Sequence, residues 1–316
     1  MRYIIRKLVT LLITLFAVSL LAFLAFSVIP GDPAVLQLGV NATPEALDAL
    51  RTEMGLDRPL AVRYVEWMGQ MLFGNMGQSF AHEPSVRELL GDRLVITGTL
   101  MGLGFLMSLV IALPVGLLSM GGTGRAGVRP LQGVVTVGAQ IMMAVPPLFL
   151  GLVLTFVFGL TFRLFTPSAF VSFRGSLSGY MSYMLFPALA IALPKSAMII
   201  RLIRSSVRDE LQKDYVQTAI SRGNGPRAVL YRHVLPNIAV PVMTFSVLTL
   251  IMMITDSIVV EQVFSIPGAG RLLVSAIGAR DFPVVQALVV VIAAFVMTLH
   301  ALTDILSRVI DRRIAL

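Results

Sequence analysis

Apolar residues along this 316-residue chain come in long blocks, not in strand-like alternation. The first block, Leu8 to Ile29, is 22 apolar or small residues, about 33 Å of helix against a hydrocarbon core of about 30 Å. Further runs fall at about 95–120, 131–162, 183–203, 238–263 and 284–310, each long enough to span a bilayer. The pattern predicts an all-α, polytopic membrane protein with about six transmembrane helices. A signal peptide would have an apolar core of only about 7 to 15 residues and a small-residue cleavage site. Here the run ends at Ile29-Pro30-Gly31-Asp32-Pro33, so it is expected to stay as the first span. Pro114, Pro146-Pro147, Pro187 and Pro194 fall inside the runs and are expected to break or kink them. Bent helices lining a pathway and ordinary packing kinks both remain open as the reason.

The one long polar stretch divides the chain. Residues 1–29 are read as an N-terminal cytoplasmic tail and first transmembrane helix, 30–94 as an external, periplasmic subdomain, and 95–316 as a five-helix core. The subdomain carries nine acidic and five basic side chains and is expected to form short helices around Pro44 to Met54 and Leu60 to Leu72. Lys and Arg set the orientation, because short cytoplasmic loops are enriched in them. The N-terminal tail has three, the 121–130 loop two, residues 201–236 seven and the C-terminal tail three. The opposite loops, 30–94, 163–182 and 264–283, hold five, two and two although they are longer in total. Both termini are therefore expected on the cytoplasmic side of the membrane.

Composition agrees. Hydrophobic residues make up 56% and charged residues 13%, against about 25% charged in soluble domains, and the mean hydropathy is +0.86. The net charge of +8 would point to nucleic acid in a soluble protein. Here the basic residues gather at span ends, so the charge is read as topology, with no nucleic-acid partner. There is no cysteine, which removes disulfides and thiolate chemistry. His82, His233 and His300 lie far apart, and neither His-Glu-x-x-His nor Gly-x-Ser-x-Gly occurs. No nucleophile or metal constellation is legible, so the chain is read as no enzyme and as binding no metal. Gly268 and Gly270 read as turn glycines rather than a phosphate cradle.

The longest connection on the basic side is 201–236, with its functional part at 204–236. Val207 to Arg222 has helical propensity, Gly223 and Gly225-Pro226 end it, and Arg227 to Val234 can begin a second short helix. Two helices meeting at glycines make a protruding elbow. Its sequence resembles the EAA loop of ABC importer permeases, whose pattern is Glu-Ala-Ala, three residues, Gly, nine residues, an aliphatic residue, one residue and Leu-Pro. Gln217-Thr218-Ala219, Gly223, His233 and Leu235-Pro236 fall on it at that spacing. Gln217, Thr218 and His233 depart from the general pattern. Tyr215 to Ala219 and Arg232 to Asn237 look instead like the dipeptide and oligopeptide branch. The competing reading is a basic juxtamembrane helix held at lipid head groups by Arg204, Arg208, Lys213 and Arg222.

The resemblance extends to Pro30-Gly31-Asp32-Pro33, Gly55 to Leu60, Gly74 to Ser79, Val263 to Gly268 with Gly270-Arg271-Leu272, and Arg280 to Gln286. It implies the type I permease fold and a role as the B-type permease of a peptide-class importer. The implied partners are a second homologous permease, two cytoplasmic ATPase subunits and a periplasmic substrate-binding protein, all at a lipid bilayer. It also implies that Asp214, Tyr215, Gln217, Thr218, Ala219, Gly223, His233, Leu235 and Pro236 form the ATPase-coupling loop. No Gly-x-x-x-x-Gly-Lys-Ser/Thr occurs, so ATP and Mg belong to the partner ATPases and this chain is expected to bind no cofactor. The rival is an ion-gradient-driven secondary transporter, which usually shows internal repeats. None is seen here.

Asp256 and Glu261 stand in the fifth apolar run, where a charge costs about 2.5 to 3.5 kcal/mol at the bilayer centre. A translocation path or a permease-permease interface would give either a reason. For Glu261, near the outer end, plain solvation is an equal reading.

Overall fold

The computed structural model describes residues 2–28, 33–38, 42–82, 84–120, 129–167 and 169–310. Pro30-Gly31-Asp32, most of the 121–130 stretch and residues 311–316 lie outside the described residues. The first helix, α1 (Arg2–Val28), is followed by three short ones, α2 (Pro33–Leu38), α3 (Pro44–Glu53) and α4 (Leu60–Leu72). Then come α5 (Val86–Leu118), α6 (Arg129–Ala144), α7 (Pro147–Leu154) and α8 (Leu177–Leu211). The chain ends with α9 (Asp214–Ser221), α10 (Pro226–Val229), α11 (Leu235–Val263), α12 (Ala269–Gly278) and α13 (Phe282–Ile310). A π-helical turn, Thr155–Thr161, extends α7, and another, Leu230–Val234, joins α10 to α11. Among the described residues the one strand-like feature is an isolated bridge between Gln78 and Ser85. The chain is all-α, as its hydropathy predicts.

Five helical stretches among the described residues are long and apolar enough to cross a membrane: α1, α5, α8, the continuous run from α10 through α11, and α13. The expected run at 131–162 is instead a bent pair, Gln132–Ala144 and Pro147–Thr161, meeting at 101°. Pro146 and Pro147 remove two successive N–H donors, and Pro147 pushes Pro146 out of the helical region to ψ 143. Pro114, Pro187 and Pro194 stay inside continuous helices, so only the double proline breaks one. The two short helices expected after the first span are α3 and α4. Thr43 caps α3 by accepting from the Ala46 amide at 3.3 Å, with Pro44 opening its first turn.

By packing, the chain forms two compact units, Met1–Ile96 with Pro267–Ala301 and Thr97–Ile266 with Leu302–Leu316. This grouping by contact is a different division from the hydropathy boundaries at 29/30 and 94/95, which mark where the chain leaves an apolar run. In the first unit, Tyr64 of α4 is buried edge-on against Phe16 and Phe23 of α1, with ring centroids 5.9 and 5.5 Å away. Its hydroxyl shares a 2.8 Å hydrogen bond with Ser19, so the buried phenol is satisfied. Val86 and Leu90 at the start of α5 pack with Leu272 of α12 and Val285 and Leu288 of α13.

In the second unit α8 is central, with α6, α7 and α11 packed against it. Its buried face is rich in alanine, including Ala188, Ala190, Ala192 and Ala197, which lets neighbouring backbones approach closely. The same requirement shows on α5, where a Cβ at Gly116 would come within 3.1 Å of Ile203. Toward its C-terminal end α8 contributes Ile199, Ile203 and Val207 to a core shared with Val216 of α9, Val229 of α10, Leu230 and Val234 of the π turn and Ile238 of α11. The elbow is therefore built onto the span core and does not hang from it.

Candidate functional site

The elbow between α8 and α11 carries most of the residues singled out in the sequence. The helix expected from Val207 to Arg222 is two helices: α8 runs on to Leu211, and α9 starts afresh at Asp214. The side-chain amide of Gln217 donates to the Leu211 carbonyl at 2.7 Å, satisfying one of the open acceptors at the end of α8. An amide can donate there and an ionised carboxylate cannot, which gives Gln217 a use that a glutamate at this position would not have. Asp214 sits in the first turn of α9, where a carboxylate complements the helix dipole. Its carbonyl accepts from the Thr218 hydroxyl at 2.9 Å.

Val216 and Ala219 turn inward and are 0% and 6% exposed, whereas Asp214, Tyr215, Gln217, Thr218 and Ile220 are exposed. The helix stops in a Schellman arrangement. The Gly223 amide donates to Ile220 at 2.9 Å and the Asn224 amide to Ala219 at 3.4 Å, with Gly223 at φ +82. The Asn224 side chain adds a bond to the Ala219 carbonyl at 2.9 Å. Gly225 and Pro226 then open α10 at once. The second helix expected over Arg227 to Val234 does not end at Leu235-Pro236. It continues into α11, and the π turn Leu230–Val234 directly before Leu235-Pro236 is the kind of local adjustment that lets a continuous membrane helix tolerate a proline.

Tyr215 ties the elbow to both spans. Its hydroxyl donates to the Glu210 carboxylate at the end of α8, lies 3.2 Å from the His233 carbonyl, and accepts from Asn237 Nδ2 of α11 at 3.0 Å. Asn237 also donates to the His233 carbonyl at 2.7 Å, so His233 enters through its backbone. Glu210 is 6% exposed and pairs with Lys213 Nζ at 2.7 Å. Sequence reasoning missed Glu210 as a member of this cluster. The signal was an acid in the last turn of a helix, where the dipole disfavours it, five residues before a tyrosine. Leu235 packs half-buried on the core, and Pro236 is exposed.

Asp256 and Glu261 lie on α11 away from the elbow and are not brought together. Asp256 Oδ2 is 2.7 Å from Lys195 Nζ of α8, with side chains 15% and 11% exposed. Lys195 was also missed, although it is the one lysine or arginine that stands well inside an apolar run, the others lying outside the runs or near their ends. Glu261 is 0% exposed and accepts from Thr97 Oγ1 of α5 at 2.5 Å, so solvation does not explain it.

In the first unit, the fully buried Asp281 holds a segment just before α5. It accepts from the Ser79 hydroxyl and from the Phe80 and Ala81 amides at 3.1 and 3.4 Å, and His82 Nδ1 lies 3.8 Å away. Losing this acceptor strands the Phe80 amide, at about 1 to 3 kcal/mol, and leaves the Ala81 amide only its 3.3 Å bond to Ser79 Oγ. Asp281→Ala is therefore expected to speed hydrogen exchange at Phe80 to His82 by about thirtyfold. Unchanged protection there would contradict the anchoring role. Among the described residues no three metal-ligating side chains gather.

Comparison with known proteins follows the same lines. A family model described as the binding-protein-dependent transport system inner membrane component matches residues 112–316, and one for the N-terminal part of such components matches residues 1–101. A probable peptide ABC transporter permease protein of Sinorhizobium fredii is 32% identical over 312 residues, covering 99% of this chain and 98% of the relative. An oligopeptide transport system permease protein of Bacillus subtilis is 30% identical over 318 residues, covering 99% and 98%. Among solved structures, the inward-facing MetNI methionine ABC transporter aligns with a TM-score of 0.54 at 16% identity, over 71% of this chain and 96% of that one. An amino acid ABC transporter aligns at 0.53 and 18%, over 72% and 94%. At those identities the structures share the fold alone.

Proposed function

The chain belongs to the family of binding-protein-dependent transport system inner membrane components, and from that membership we propose that it is a permease subunit of an ATP-driven peptide importer. Membership implies an ATPase and a substrate-binding component as partners and sets aside an ion-gradient-driven secondary transporter. The finer assembly is a second homologous permease, two ATPases carrying ATP and Mg, and a periplasmic binding protein, with both termini cytoplasmic. Peptides are the substrate named for the full-length relatives, which supports the same class here.

The observation that carries the mechanism is the elbow. Its helix α9 is fastened to the end of α8 by Gln217 and Tyr215–Glu210, and Tyr215–Asn237 fastens it to the start of α11. Its outer face stays open, with Ile220 44% and Tyr231 of the adjoining π turn 53% exposed. A partner gripping that face would move both spans as one rigid body, converting ATPase closure into alternating access. The segment at 30–94 would receive the binding protein. The path runs between this chain and its partner permease, and the chain itself performs no bond chemistry.

Affinity purification in mild detergent from native membranes tests this. A second permease and an ATPase should co-purify, and reconstituted vesicles should take up peptide with ATP and ignore collapse of ion gradients. Uptake that persists without nucleotide and stops when the gradient is collapsed would refute the proposal.

A further inference from the structure

Between α6 and α8 lies a cleft of about 200 Å³ lined in part by Thr136, Gln140, Arg201, Arg204, Ser205 and Arg208. The three arginines recur three and four residues apart, which puts them on one helix face. Among the described residues no carboxylate lies within ion-pairing distance of any of them. Arg204 is the telling one, since it is only 9% exposed. Its Nη2 donates to Thr136 Oγ1 at 2.8 Å and reaches the Gln132 carbonyl at 3.3 Å, but its Nη1 is buried with no hydrogen-bond partner. A guanidinium stays charged. Burying one without a counter-charge, beside two like charges, is among the costlier arrangements a fold can hold.

We infer that this cleft is a binding site for a phosphate-bearing anion, either the phosphodiester of an anionic phospholipid or free phosphate. Guanidinium forks match phosphate oxygens bidentately, and three of them exceed what a single carboxylate can satisfy. The cleft also lies where the apolar run of α8 ends at about residue 203, the level at which lipid head groups meet a span. The bound phosphate would accept from the free Arg204 Nη1 and draw in the exposed Arg201 and Arg208, locking α6 onto α8. The inference is independent of the transport reading, because its readout is stability and not uptake.

The test uses the detergent-purified chain with whatever subunits accompany it, stripped of lipid. Its thermal midpoint is followed while adding short-chain phosphatidylglycerol, a diacylglycerol of equal chain length, or inorganic phosphate. Phosphatidylglycerol should raise the midpoint and diacylglycerol should not; an equal response to inorganic phosphate assigns the site to the free anion. Arg204→Gln should weaken the apparent affinity about tenfold, the loss expected for one charge-assisted hydrogen bond. Arg201→Gln and Arg208→Gln act at exposed positions and keep the test alive if Arg204→Gln does not fold. Arg163→Gln, an equal loss of charge elsewhere, should change nothing. No response to either anion, or wild-type affinity in both the Arg201 and Arg208 variants, overturns the inference.

Discussion

Gly223→Val is expected to reduce ATP-driven uptake at least about tenfold while the protein is still inserted at normal levels. The substituted Cβ would meet nothing within 4 Å, so no clash is involved. The cost is conformational: φ is +82, and an L-residue in the left-handed region costs about 1 to 2 kcal/mol, more for a β-branched one. About 1.4 kcal/mol is already tenfold in the balance between the aimed elbow and a relaxed one. A series separates this from bulk, because Asn visits that region more readily than Ala, and Ala more readily than Val. Uptake should fall in the order Gly, Asn, Ala, Val. Equal uptake across the four would remove Gly223 from the coupling argument. At Ala219, which is 6% exposed, Ala219→Glu would force a charge into the core beside Val216. It should release the ATPase from the purified complex.

Lys195→Met is the second large effect. It leaves Asp256 as an uncompensated acid between α8 and α11, and removing one partner of a buried pair costs about 3 to 5 kcal/mol. The expected result is loss of most folded protein from the membrane, with a milder loss for Asp256→Asn because the amide is uncharged. The double variant Lys195→Met with Asp256→Leu should recover the folded amount, since a well-packed apolar pair is often as stable as the ions it replaces. Its uptake then separates the two roles open for Asp256. Wild-type kinetics in a recovered double variant would make the pair a packing device. Altered kinetics at normal abundance would put Asp256 on the translocation path. Failure of the double variant to recover would mean that the two charges are not coupled.

The elbow was legible because its punctuation is local. Gly223 and Gly225-Pro226 can stop one helix and let another start, and Gln217-Thr218-Ala219, Gly223 and Leu235-Pro236 stand at a recognisable spacing. What remained hidden was its clamp. Tyr215 appears in the sequence as a motif residue, but its partners are Glu210, the His233 carbonyl and Asn237, which meet only after α8 and α11 are packed side by side. The helix boundaries slipped for the same reason. Propensity carried one helix through 207–222, and the docking of Val216 onto the α8 core favours the break at Gln212-Lys213.

Helical class, the long apolar runs and the basic asymmetry of the loops were determined by sequence alone, because the transfer free energy of each residue between water and lipid depends mainly on that residue and adds along a helix. The number of straight spans was not, since the run at 131–162 is a bent pair. The 101° bend follows from two adjacent prolines, yet its size is a matter of what α6 and α7 pack against. The use of the buried charges was decided only by tertiary structure. Asp281 finds Ser79 across 202 residues and Glu261 finds Thr97 across 164. Lys195 finds Asp256, while Arg201, Arg204 and Arg208 of α8 find no acid within ion-pairing distance among the described residues. A buried charge is tolerable or costly according to the neighbour within a few ångströms of it, and no per-residue property contains that distance.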